Sequence, residues 1–169
     1  MVAARHLAVA GAKVDVCVSV SPEQLAPVPA AQYRILRAMD VSVTTGPRAS
    51  DEPDLVLDAL LGYGQSGAPR GEAARLIGWT AGRRVLALDA PSGLELETGR
   101  VHDPHILAAA TLTLALPKEG LRGPGYKAVG DLYVADISVP ISVYQGLGIR
   151  YASPFGRGPL IRIVGGVGR

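Results

Sequence analysis

The sequence predicts a doubly wound α/β fold, and three observations carry the prediction. Short apolar runs of strand length recur along the chain, and helical or loop-rich segments separate them. Two of those runs end in an aspartate followed by a glycine-containing loop. The first is Asp54-Leu-Val-Leu-Asp-Ala-Leu-Leu-Gly-Tyr-Gly-Gln-Ser-Gly67, in which Leu55 to Leu57 reads as a buried strand of a parallel sheet. The second is Arg84-Val-Leu-Ala-Leu-Asp89, followed by Ala-Pro-Ser-Gly93. Ligands of open α/β sheets bind beyond the carboxyl ends of strands, so the two aspartates predict one shared site.

Each element has its own signal. Met1 to Ala10 is apolar at helical spacing and meets Gly11, a helix stop. Val14 to Val20 alternates as a strand does, with Cys17 among valines and read as core. Ser21-Pro22-Glu23 marks a turn or short helix start, and Ala30 to Met39 an amphipathic helix on Tyr33 and Leu36. Val41 to Thr45 is a strand, and Gly46 to Pro53 a polar loop. After the Asp54–Leu57 strand, Gly71 to Ala81 reads as a helix ending at Gly82, and Arg84 to Leu88 as a strand. Ala90 to Pro104 is expected as an ordered loop over the surface. Ala108 to Leu116 ends in a strand that meets Pro117-Lys118. Glu119 to Gly130 is loop-rich, and Leu132 to Ile137 is a strand. From Val139 onward, with Gly165-Gly-Val-Gly168, a mixture of loop and edge strand is expected.

Length and composition narrow the function classes. At 169 residues, 48% apolar and 19% charged, the chain is expected to form one compact domain over 1–169. A net charge of +2 is too small to argue for nucleic acid. No apolar run approaches the roughly 20 residues needed to cross a bilayer. The first residues show no charged-then-apolar secretory pattern, and one cysteine cannot form an internal disulfide, so the cytoplasm is the expected compartment.

The residues that can carry chemistry cluster at the strand ends. Asp58 or Asp89 can bind a cation, hold a ribose hydroxyl or act as acid and base; the plainer alternative is a helix cap or loop anchor. Ser92 offers a hydroxyl beside a cation site or caps its turn, and no Gly-x-Ser-x-Gly elbow surrounds it. Lys118, ending the next strand on the same edge, can meet a phosphate or the substrate, or stand solvated in a Pro-Lys-Glu-Gly turn. His6, His102 and His105 have no metal-ligand spacing. The Gly-Tyr-Gly-Gln-Ser-Gly loop matches neither the P-loop nor the dinucleotide fingerprint.

Four motifs in order are more specific: Asp58-Ala-Leu-Leu-Gly-Tyr-Gly; Asp89-Ala-Pro-Ser-Gly93; Ala110-Thr-Leu-Thr-Leu with Pro117-Lys118-Glu-Gly-Leu121; and Gly130-Asp-Leu-Tyr-Val-Ala-Asp-Ile-Ser-Val-Pro140. Together they resemble the YjeF N-terminal domain family, the NAD(P)H-hydrate epimerases, over about Met1 to Pro140. The resemblance implies a Rossmann-like three-layer sandwich with a mostly parallel central sheet. It implies exchange of the R and S epimers of hydrated NADH or NADPH at nicotinamide C6, a metabolite repair reaction. It also implies a potassium ion held by Asp58 and Ser92, and substrate phosphates held by Gly62, Tyr63, Gly64, Gln65, Ser66, Gly67 and Ala68. Asp89 is implied at the nicotinamide end, where proton transfer to and from the C6 hydroxyl needs an acid and base. Relatives often pair as homodimers.

The family carries Gly-Asn-Asn-Gly-Gly-Asp-Gly immediately before the helix that opens this chain at Val2-Ala-Ala-Arg-His-Leu. That loop, a further potassium ligand set, and the strand before it are expected to be missing here. Residues 1–169 expressed alone are therefore expected to be aggregation-prone and inactive. The alternative function is a non-catalytic nucleotide-binding or scaffold module of the same fold. A kinase or dehydratase is a weaker third, since a dehydratase needs a further domain. Keeping Asp58, Asp89, Ser92 and the glycine loop together favours the enzyme.

Overall fold

The computed structural model describes residues 1–47, 52–123, 125–156 and 158–163. The chain divides into two compact units, Met1–Glu52 with Arg70–Trp79, and Pro53–Pro69 with Thr80–Arg169.

In the first unit, helix α1 (Val2–Val9) stops where Gly11 takes φ +91°, a left-handed conformation that costs glycine little. Strand β1 (Asp15–Val18) leads through a single 3₁₀ turn, Pro22–Gln24, into helix α2 (Pro27–Ala38). Pro27 at the first helical position explains why α2 starts three residues earlier than its apolar spacing indicates: a proline there has no hydrogen-bonding N–H to lose. Strand β2 (Ser42–Thr45) pairs parallel with β1, Asp15 opposite Ser42 and Val18 opposite Thr45. Leu36 and Val18 are buried here, while Cys17 is half-buried, more accessible than its valine neighbours imply. Part of the expected Gly46–Pro53 loop, 48–51, lies outside the described residues. Helix α3 (Gly71–Trp79) buries Leu76 and Ile77 and pairs Arg75 with Glu72 one turn away at 2.6 Å.

The second unit holds the predicted sheet. Strands β3 (Val56–Asp58), β4 (Val85–Leu88), β5 (Ala110–Leu114) and β6 (Asp131–Ala135) lie in that order and all run parallel. Strand β7 (Leu160–Arg162) closes the order antiparallel to β6. Near-continuous apolar runs suit strands flanked on both faces, which is why β4 and β6 are readable from composition alone. The fold class expected from the sequence, α/β with a mostly parallel sheet, is the one observed.

Two segments differ from expectation. The stretch 90–104 does not run over the surface: Ala90, Pro91, Ser92, Leu94 and Leu96 are buried, and Leu94 and Leu96 join Leu121, Val129 and Leu132 in one apolar cluster. Its backbone is satisfied by its own turns, with Glu95 N–H donating to Arg100 O and Gly99 N–H to Glu95 O, so burial leaves those polar groups paired. The packing is close enough that a Cβ on Gly120 would meet the Leu96 carbonyl at 2.5 Å. Beyond Pro140, residues expected as loop or edge strand form helix α5 (Ile141–Gly146), where Pro140 precedes the first turn and Tyr144 is buried and stacked on Tyr151. A shorter helix, Tyr126–Val129, labelled α4 in chain order, interrupts the loop-rich 119–130 stretch. Gly165 to Gly168 lie outside the described residues.

Candidate active site

The carboxyl ends of β3 and β4 lie side by side. Asp58 is the last residue of β3 and sits opposite Ala87, two residues before Asp89. The parallel register therefore places both aspartates at one edge, as the sequence requires for a shared site. Asp58 is 3% exposed, and three donors surround its carboxylate. Ser92 N–H donates to Oδ2 at 2.7 Å, Ser92 Oγ–H to Oδ1 at 2.7 Å, and Leu60 N–H to Oδ1 at 3.3 Å. Burial, which penalises the charged form, pushes the Asp58 pKa above its ordinary value, and these hydrogen bonds pull the other way without cancelling it. Ser92, fully buried, also accepts from Leu61 N–H at 3.0 Å. One hydroxyl thus joins the end of β3, its glycine loop and the turn after β4.

The glycine loop is anchored by one more contact. Gln65 N–H closes a turn on Gly62 O at 3.0 Å, and the Gln65 side-chain Oε1 accepts from Gly93 N–H at 2.8 Å. Its Nε2 is buried with no protein acceptor, a donor left for whatever enters the loop. Tyr63, Gly64, Ser66, Gly67 and Ala68 are exposed, and Gly67 takes φ +76°. Glycines in such a loop let backbone N–H groups come close to an anionic ligand.

Asp89 occupies different surroundings. Its backbone takes φ +68°, unusual for a residue with a Cβ, and its N–H donates to Leu112 O at 2.8 Å, so neighbouring β5 holds the turn. Lys118 Nζ donates to Asp89 Oδ1 at 2.5 Å, and Thr113 Oγ1 lies 3.4 Å from the same oxygen. The carboxylate and the ammonium each keep about a fifth of their side-chain surface in contact with solvent. Thr113, which composition did not single out, is fully buried, as is Thr111 on the same face of β5. Two threonines on the buried face of a parallel strand are the signal that could have found it. Thr111 satisfies its hydroxyl on Val129 O at 2.7 Å, whereas Thr113 turns to the site.

The donor set at the Asp58 corner is hard: a carboxylate, the Ser92 hydroxyl and, 3.5 Å from that hydroxyl, the Leu61 carbonyl. Oxygen ligands of this kind suit alkali and alkaline-earth cations. A buried carboxylate whose charge burial disfavours gains from such an ion. Among the described residues no three His, Cys, Asp or Glu side chains converge as a transition-metal site would require. His105 packs against Gly93, where an added Cβ would meet its Cβ at 2.5 Å, and its Nδ1 bonds to the His102 carbonyl at 3.0 Å.

The chain is similar to several known proteins. The chain is 39% identical to an NAD(P)H-hydrate epimerase of Dehalogenimonas lykanthroporepellens, over 95% of this chain and 66% of that one. It is 40% identical to a bifunctional NAD(P)H-hydrate repair enzyme Nnr of Hyperthermus butylicus, over 88% of this chain and 29% of that one. The chain thus spans just under two thirds of the first relative and less than a third of the second. Among solved structures, yeast ynu0 superimposes with a TM-score of 0.71 over 96% of this chain and 70% of that one, and 17% identity makes this a likeness of fold. The family described as YjeF-related protein N-terminus matches residues 1–120, and the chain belongs to that family.

Proposed function

We propose that this chain is an NAD(P)H-hydrate epimerase, exchanging the R and S forms of hydrated NADH or NADPH at nicotinamide C6. The observation that carries the reading is the meeting of Asp58, Ser92, Asp89 and the 62–68 loop at the ends of two adjacent parallel strands, in a chain whose relatives bear that name. Gly62 to Ala68 hold the dinucleotide phosphates on backbone N–H groups, and the buried Gln65 Nε2 adds a side-chain donor. Asp58 and Ser92 hold a potassium ion, which when bound raises the local positive potential and helps retain an anionic dinucleotide.

Asp89 carries the proton. In its acid form it protonates the C6 hydroxyl, which leaves as water while the ring nitrogen lone pair stabilises the cation left at C6. Water then adds to the opposite face and releases its proton to solvent, from which the Asp89 carboxylate regains one. Nothing is oxidised or reduced, and the acid is regenerated. Among the described residues no helix is long and apolar enough to cross a membrane. The reading implies a cytoplasmic protein that pairs as a homodimer.

Conversion of one epimer of hydrated NADH into the other, by this chain joined to an upstream segment carrying the Gly-Asn-Asn-Gly-Gly-Asp-Gly loop and followed by chiral chromatography in potassium buffer, tests the reading. Exchange faster than in protein-free buffer is expected; exchange at the protein-free rate would refute it.

A further inference from the structure

An ammonium group has three hydrogens and no acceptor. In Lys118 the structure accounts for all three: Nζ donates to Asp89 Oδ1 at 2.5 Å, to Thr113 Oγ1 at 2.9 Å and to the Leu114 carbonyl at 2.9 Å. None is left to reach a ligand. Thr113, accepting from Lys118, has its own hydrogen to send to Asp89 Oδ1, so one carboxylate oxygen is held from two sides. No donor among the described residues reaches the other oxygen, Oδ2. It faces the glycine loop, where a Cβ built on Gly62 would lie 3.5 Å from it.

We propose that Lys118 and Thr113 are positioning residues that act through Asp89, leaving Oδ2 as the one oxygen that exchanges a proton with substrate. Lys118 is then not a substrate contact, although its place at the strand end invites that role. The proposal rests on the epimerase reading of the site and adds to it. Fixing one oxygen in a charge-assisted hydrogen bond removes the rotation that would otherwise swap the two oxygens. Aim at the reacting atom is the part of catalysis most sensitive to small displacements. The positive φ of Asp89 serves the same end, because it turns the side chain of a strand-end residue back across the sheet edge toward Thr113.

The test uses the full chain and two readouts. In epimer exchange, Lys118→Met is expected to lower kcat about ten- to hundredfold with KM changed less than about twofold, and Thr113→Val to act in the same direction more weakly. In an Asp89→Asn background, Lys118→Met should cost less than about a further twofold, because its effect runs through a carboxylate no longer there. A raised KM at unchanged kcat, or losses that multiply, would overturn the proposal.

The second readout needs no activity. Lys13, Lys118 and Lys127 are the chain's lysines, and Lys13 and Lys127 are exposed. A ¹H–¹⁵N spectrum of lysine ammonium groups should show one slowly exchanging signal, from Lys118, that disappears in Asp89→Asn. A Lys118 ammonium exchanging as fast as the other two would overturn the proposal even if epimerisation were confirmed. A protein that failed to exchange the epimers yet kept the protected signal would refute the epimerase reading and leave the clamp standing.

Discussion

Asp58 and Asp89 end neighbouring parallel strands, yet the protein treats the two carboxylates in opposite ways. Asp58 is buried and given three short-range donors and no cationic side chain. Asp89 is partly open, turned by a positive φ, tied at one oxygen to a lysine and bare at the other. The first arrangement joins three chain segments and offers a hard oxygen site to a cation. The second keeps one oxygen aimed and accessible, as proton transfer requires. Residue type and place in the strand are equal, so the difference in role comes from the neighbours.

The comparison breaks most visibly in rate. Asp89→Asn should lower kcat for epimer exchange about 10²–10⁴-fold, the range of a general acid–base residue. Its urea midpoint should fall by less than that of Asp58→Ala, since amide and carboxylate match in size and the loss is confined to the Lys118 ion pair. Asp58→Ala should show the reverse emphasis. It strands Ser92 N–H, Ser92 Oγ and Leu60 N–H, and each buried donor left unsatisfied costs about 1–3 kcal/mol. Release from holding a buried charge offsets part of that loss. Urea unfolding should therefore report a net loss of about 2–4 kcal/mol. If an ion sits at Asp58, this variant should also weaken substrate binding more in potassium than in a potassium-free buffer.

A finer contrast lies in the glycine loop. Gly62→Ala places a methyl 3.5 Å from Asp89 Oδ2, an ordinary contact that the fold accepts but that crowds the reacting oxygen. A drop of about tenfold in kcat/KM is expected. Gly64→Ala meets no protein atom within 4 Å and should act more weakly, through KM and not kcat. Equal effects would mean that the loop, and not its approach to Asp89, limits the reaction.

The smallest effect is a slope. Burial raises the Asp58 pKa in the folded chain above its unfolded value, so the folded state holds the proton more tightly there. The stability from this group is complete below the ordinary carboxylate range and is lost as pH rises through the raised folded value. In urea titrations across acid pH, wild type should gain less stability with rising pH than Asp58→Asn does, and potassium should narrow the gap. A gap of opposite sign would show that hydrogen bonding to the Asp58 carboxylate outweighs its burial.

Much of this was legible in the sequence because buried parallel strands are apolar runs and their ends are marked. Leu55 to Asp58 and Arg84 to Asp89 showed the two strands and the shared edge, although the first strand begins at Val56 and Leu55, expected buried, is 42% exposed at its open end. Ser92 was singled out by its motif, but its bond to Asp58 joins residues 34 apart in the chain and needs the register to appear. Leu94 and Leu96 could not be read as core, because a loop buried by its own turns has no apolar period. Helix α5 was hidden for a similar reason: six residues that follow a proline and end in a glycine, without a side-chain cap, carry too little pattern. Thr113 was visible only as a polar residue in an apolar strand, and its partner five residues later lies beyond the strand's end.

The most direct test of the central claim, that Asp89 moves a proton to and from a departing hydroxyl, follows an oxygen atom. Inversion at C6 by loss and return of water requires attack on the face opposite the one the hydroxyl left. The inverted product must then carry solvent oxygen. Incubating one epimer of hydrated NADH with the protein in ¹⁸O-water, and reading label in each separated epimer by mass spectrometry, measures this. The account predicts that newly formed epimer carries ¹⁸O at C6 from the earliest times, and that Asp89→Asn suppresses inversion and labelling together by at least about a hundredfold. Inverted product that retains its original oxygen, or an Asp89→Asn variant that loses less than about tenfold in both, would contradict it.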